Sequence, residues 1–139
     1  MNTTKNISLL YRKMNTMTNA RLAPLNLSGP KAMFLFCIFD HKTMSQAEIC
    51  HELDMDKSSV AKMLVRLEKD GLITKTVNPN DIRSFLVSLT DQASAMIPEA
   101  RKITDNWVDD ATNCLTDLEK RNFYELLDKV VDNISCFEK

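Results

Sequence analysis

The run Met44–Leu89, MSQAEICHELDMDKSSVAKMLVRLEKDGLITKTVNPNDIRSFLVSL, constrains this chain more than any other stretch. It carries two helix-start signals in close succession. Ser45 with Glu48 three residues later is a capping box, and Met44 and Ile49 are placed as its hydrophobic staple. Asp56 is the N-cap of a second helix, with Met55 and Val60 as the staple. Only Leu53, Asp54 and Met55 separate the two helices, and so short a turn makes them cross steeply.

The second helix, from about Lys57 to Asp70, has two faces. Val60, Met63, Leu64 and Leu67 follow helical spacing and form the stripe to be buried. Lys57, Ser58, Ser59, Lys62 and Arg66 offer hydroxyls and long cations, the groups that meet phosphates and base edges. Most such faces are plain solvated surface. The capped helix before this one and the hairpin after it favour the nucleic-acid reading. Gly71 ends the helix as a C′ glycine. Ile73–Val77 and Phe85–Leu89 read as strands around a turn-rich loop, Asn78–Ser84. Arg83 near the end of that loop suits an arm into a minor groove. Two short helices followed by a hairpin make a winged helix-turn-helix, a DNA-reading module.

The order and spacing of these pieces closely resemble the MarR (multiple antibiotic resistance regulator) family of bacterial transcription factors. The resemblance runs from Leu22-Ala23-Pro24-Leu25 with Leu27-Ser28, through Ser45-Gln46-Ala47-Glu48-Ile49 and Asp56-Lys57-Ser58-Ser59-Val60. It continues in Arg66-Leu67-Glu68-Lys69-Asp70-Gly71-Leu72-Ile73 and in Asp81-Ile82-Arg83 followed by Val87-Ser88-Leu89-Thr90. Asp54 stands where many members carry Gly, and Asp tolerates a left-handed backbone better than most residues. The resemblance implies an intertwined homodimer, more often a repressor than an activator, on a pseudo-palindromic double-stranded DNA operator. It further implies that Asp81 and Arg83 shape the wing and reach the minor groove.

The flanks agree with that arrangement. Ile7, Leu10, Met14 and Met17 give a helix over about Asn6–Leu22 a narrow apolar seam. Pro24 stops it, and Ser28 caps a helix whose segment Met33–Phe39 is apolar nearly all round, as in a buried core helix. Thr90 caps a long helix striped by Ala93, Met96, Ile97, Ala100, Ile103, Trp107, Val108 and Ala111, with Pro98 placed to bend it. Thr116 and Glu119 form a capping box for a last helix carrying Phe123, Leu126, Leu127, Val130, Val131 and Ile134. The expected fold is mainly α with a small β-hairpin wing, one domain over 1–139. Residues 28–89 are its winged helix-turn-helix, and residues 1–27 and 90–139 are its dimerisation helices.

Charge points the other way. With 18 basic and 19 acidic residues the net charge is −1, where most nucleic-acid binders are basic. A local basic face answers the objection, but near-neutrality keeps a second reading open: a winged-helix protein-interaction module that does not read DNA. Cys37, Cys50, Cys114 and Cys136 show no CxxC or zinc-finger spacing and read as reduced cytoplasmic thiols. Lys5, Arg12 and Lys13 interrupt any signal-peptide core, and the longest apolar run, Ala32–Phe39, is too short to span a membrane.

No phosphate loop, nucleophile elbow or Ser/His/Asp set appears, so no catalysis and no cofactor are expected. Cys37 and His41 share a helix face, and Cys50 adjoins His51, but two ligands do not make a metal site. The peroxide-sensing branch of the resembled family carries its cysteine in the first helix, where this chain has none. Tyr11, Met14, Met33, Phe36, Cys37 and Trp107 are the candidates to border a pocket for a small aromatic or apolar effector, although each serves packing equally well.

Overall fold

A computed structural model describes residues 1–137. They divide into two compact units, residues 1–104 and the residues from 105 onward.

The first unit opens with helix α1 (Thr3–Leu22), which starts earlier than its apolar seam because Asn2 accepts the Lys5 N–H. A 3₁₀ turn, Ala23–Leu25, follows, and Asn26 takes a left-handed conformation that lets Leu27 N–H reach back to the Leu22 carbonyl. Helix α2 (Gly29–His41) begins at Ser28, whose hydroxyl accepts the Lys31 N–H. This helix is not buried all round. Phe34, Leu35, Cys37 and Ile38 lie inside, while Met33 and Phe39 are exposed, because one helix can turn only part of its circumference to the core.

A two-residue strand β1 (Met44–Ser45) then joins a sheet, an element with no signature of its own in the sequence. Helix α3 (Gln46–Glu52) carries both hydrogen bonds of the expected capping box, and Asp54 takes φ 50° in the turn that follows. Helix α4 (Lys57–Lys69) is capped by Asp56. Its C-terminus closes as a Schellman motif. Gly71 has φ +75°, its N–H donates to the Glu68 carbonyl, and Leu72 N–H donates to the Leu67 carbonyl.

Strands β2 (Ile73–Asn78) and β3 (Asp81–Leu89) form the wing, and β1 adds to the free edge of β3 in an antiparallel order β1-β3-β2. Both long strands exceed the sequence expectation. Asn78 pairs with Asp81, so the turn is only Pro79-Asn80 and not the seven-residue loop Asn78–Ser84. The polar side chains that give this stretch the look of a loop supply its bonds. Asn78 Oδ1 accepts the Asn80 N–H, and Asp81 Oδ1 accepts the Arg83 N–H.

Helix α5 (Asp91–Thr112) starts at Thr90, whose Oγ1 accepts the Ala93 N–H, and it runs through Pro98 into the second unit. The core of the first unit is one cluster. Leu22, Phe34, Leu35, Ile38, Met44, Ile49, Val60, Leu64, Leu67 and Val87, together with Ala93, Ile97 and Ala100 of α5, are all buried in it. The expected stripe of α4 therefore faces inward, with Met63 at its margin.

In the second unit, α6 (Asp117–Ser135) begins with a complete Thr116/Glu119 capping box, and the Tyr124 and Thr112 hydroxyls lie 3.1 Å apart. No described residue of α6 is buried. Among the described residues no single helix is long and apolar enough to cross a membrane.

Candidate nucleic-acid interface

Helix α4 is positioned from both ends. At its start, Asp56 Oδ1 accepts the Ser59 N–H at 2.7 Å and Oδ2 accepts the Ser59 hydroxyl at 2.9 Å. Gln46 Nε2 of α3 donates to the Lys57 carbonyl at 3.2 Å, which ties the two helices together across the turn. At its other end, Lys31 Nζ lies 2.8 Å from Asp70 and Lys75 Nζ lies 3.6 Å from Glu68, while Lys75 also sits over the Phe85 ring.

Lys57, Ser58, Lys62 and Arg66 are exposed on the face opposite the buried stripe. Neither these three cations nor Arg83 makes an ion pair with any described residue, whereas Lys31, Lys75 and Arg101 all do. Ser59 differs from its neighbours. It is half-buried, and its hydroxyl proton is committed to the Asp56 cap. Val65, 59% exposed on the same helix, escapes sequence reasoning, because an apolar side chain outside the buried stripe carries no signal of its own.

The wing brings its residues to the same module. A cleft of about 640 Å³ is lined by Gln46, Cys50 and Lys57 on the helical side and by Asp81, Arg83 and Phe85 on the wing. Asp81 does not pair with the Arg83 guanidinium, as simple charge attraction would have it. Its carboxylate holds the Arg83 backbone N–H at 3.0 Å, and the Ser84 hydroxyl donates to its carbonyl. The wing is thus stiffened through the main chain, and the guanidinium makes no ion pair with any described residue.

The remaining candidates are scattered in character. Tyr11 and Met33 are exposed, Met14 and Phe36 are half-buried, and Cys37 and Trp107 are buried. The Cys37 thiol points to the Met44 sulfur at 3.5 Å. Burial pushes that thiol up, and the charges of Glu52 and Asp40 push it further, so it resists becoming the reactive thiolate. His41 does not converge on it. Its Nδ1–H donates to the Cys37 carbonyl at 2.8 Å. Among the described residues no three His, Cys, Asp or Glu side chains gather to hold a metal ion.

A capped two-helix turn and a three-stranded wing define a winged helix-turn-helix protein. Residues 27–85 match the model of the MarR family. Among curated proteins the chain is 28% identical over 138 residues to the HTH-type transcriptional regulator BilQ of Clostridioides difficile (strain CD3), covering 95% of this chain and 93% of that protein. It is 32% identical over 95 residues to the organic hydroperoxide resistance transcriptional regulator of Bacillus subtilis (strain 168), covering 66% of this chain and 65% of the other. Among solved structures, a cysteine-to-serine mutant of MarR from E. coli in complex with operator DNA superposes with a TM-score of 0.84 at 27% identity, over 91% of each chain.

The Asp56 cap sets a pH dependence. Hydrogen bonds from the Ser59 backbone and then its hydroxyl hold this carboxyl below the usual carboxylate range. A carboxyl depressed by folding contributes stability that is present above its unfolded pKa and is lost as the pH falls through the lower folded value. Asp56→Asn keeps an acceptor but has no proton to gain. Thermal unfolding of the two proteins should therefore differ at neutral pH, and the difference should shrink as the pH falls below the ordinary carboxylate range.

Proposed function

We propose that this protein is a DNA-binding transcription regulator that acts as a homodimer on a pseudo-palindromic operator, as a repressor. The observation that carries the reading is the surface of α4 and the wing. Exposed Lys57, Lys62 and Arg66 on one capped helix, and Arg83 on one braced hairpin, make no ion pair with any described residue. A phosphate backbone supplies the missing charge, and base edges in the major groove accept from a guanidinium. The operator complex of the MarR mutant from E. coli supports the same use of the fold. In this reading α4 enters the major groove with Ser58 and Ser59 near its start, and the wing follows the flanking minor groove. Replacing Arg66 by Ala should weaken binding to a selected operator by about 1–3 kcal/mol and relax base preference at one position. Lys62→Ala should instead weaken every duplex alike and flatten the salt dependence. Wild-type affinity in both variants, measured by fluorescence anisotropy, would sink the reading.

The homodimer rests on two uncovered faces, each taken by itself. Helix α1 exposes Ile7, Leu10 and Met17, and α6 exposes Phe123, Leu126, Leu127, Val130, Val131 and Ile134. Covering one large aliphatic side chain is worth roughly 1.5–3 kcal/mol, so leaving two such rows in water is costly. Sedimentation equilibrium should give twice the chain mass at micromolar concentration. A folded monomer there would contradict the assembly.

The affinity is set by a small aromatic or apolar effector, with Tyr11, Met14, Met33, Phe36 and Cys37 of the first unit as the residues that meet it. The depressed reactivity of Cys37 and the lack of a gathered metal ligand set among the described residues favour such a molecule over an oxidant or a metal. An effector acts only through unequal affinity for the two states of the dimer, and a tenfold release from DNA needs about 1.4 kcal/mol of that difference. Operator binding titrated with salicylate-like aromatics should weaken. Release by zinc or peroxide with no response to any aromatic would reverse the assignment.

A further inference from the structure

The hairpin register of the wing is broken at one place. Val77 pairs with Phe85, but the next residue, Asn78, pairs with Asp81. Three residues of β3, Ile82-Arg83-Ser84, therefore stand opposite nothing on β2. The turn explains why. Pro79 fixes its own φ near −65°, and Asn80 is not among the residues with positive φ, so the primed turns that suit a two-residue hairpin are excluded. A turn of the other hand splays the strands, and a bulge restores the pairing. The bulged segment is held firmly. Asp81 Oδ1 accepts the Arg83 N–H at 3.0 Å, Asn78 Nδ2 donates to Ser84 Oγ at 3.2 Å, and that hydroxyl donates to the Asp81 carbonyl at 3.2 Å. What this brace presents is an isoleucine, Ile82, 84% exposed, directly beside the exposed Arg83.

We infer that Ile82 is a specificity-determining contact, an apolar side chain that the wing lays against the floor and sugar walls of the DNA minor groove. The inference rests on the DNA-binding reading and adds a residue to it. An isolated exposed aliphatic residue is ordinary on a protein surface. Here it is fixed on a braced tip, next in sequence to a cation that makes no ion pair with any described residue, and a groove that encloses the tip reaches both side chains. In a minor groove the two do different work. Arg83 answers the phosphate field. Ile82 reads the floor. A·T pairs expose only acceptors there, while G·C adds the N2 amino group of guanine. That amino group both obstructs an aliphatic side chain and loses its water to it without gaining an acceptor.

The test uses full-length protein on a selected operator whose wing-flanking base pairs are A·T, G·C or inosine·C. Inosine·C keeps the major-groove edge of G·C but lacks the minor-groove amino group. Wild type should bind the A·T and inosine·C duplexes alike and the G·C duplex less well. Ile82→Ser should lose about tenfold on the first two, the scale of burying half an isoleucine. It should bind all three duplexes nearly equally, with the salt slope unchanged. Arg83→Ala should lower the salt slope and keep the preference against G·C. An Ile82→Ser protein that discriminates among the three duplexes as wild type does overturns the inference, whereas the DNA-binding reading fails if Lys62→Ala and Arg66→Ala are both without effect. Circular dichroism melting of Ile82→Ser should match wild type, since so exposed a side chain adds little packing to the free protein.

Discussion

The way α4 ends governs everything the reading head presents. Gly71 turns left-handed, and three separate segments meet on its backbone and the next. The Leu72 N–H closes the helix onto Leu67, the Gly71 carbonyl accepts the Thr90 hydroxyl at 2.9 Å, and the Leu72 carbonyl accepts the Thr90 N–H at 3.0 Å. Helix α4, the first strand of the wing and the start of α5 thus leave from one hydrogen-bonded knot. A side chain at Gly71 would meet no atom within 4 Å, so the demand for glycine here is purely one of backbone conformation. The left-handed backbone of this residue turns the chain from α4 into the wing.

What the sequence discloses follows from the range of each interaction. Ser28, Ser45 with Glu48, Asp56, Thr90 and Thr116 with Glu119 all cap helices as their identities suggest, because a cap is decided within four residues. The left-handed turn at Asp54 is legible for the same reason. Strand β1 is not, since Met44 finds its partner only at Val87. The wing looks too loose in sequence for a subtler cause. Asn78, Asn80 and Asp81 have loop-forming side chains, and here those of Asn78 and Asp81 pin a ladder that extends almost to the turn. On α2 a run of apolar letters suggests complete burial, and composition alone does not reveal that Met33 and Phe39 fall on the outer side. The candidate interface is legible on α4, where a two-faced helix announces itself by spacing. The partner of Asp81 is not, because a carboxylate near an arginine reads as an ion pair whichever of its N–H groups it takes.

One tie in the first unit lies wholly beyond sequence reasoning. Arg101 of α5 meets Asp40 of α2 at 2.6 Å, with its guanidinium 5.1 Å from the centre of the Phe36 ring and 5.6 Å from that of Phe39. A planar cation can hold a carboxylate at its edge while its face rests on aromatic carbon. The contact joins α2 to α5 well beyond the Gly71 knot in sequence, so α5 is fastened to the head at two places. Phe36 is one of the residues proposed to meet an effector, and a ligand that displaced its ring would also disturb the seat of Arg101.

The bulge in the wing also separates two kinds of residue. Asn78, Asp81 and Ser84 build the tip, and a change at any of them alters its shape. Ile82 and the guanidinium of Arg83 are carried by the tip and support nothing within it. The hairpin is therefore a fixed handle that carries two side chains outside the bonds that shape it.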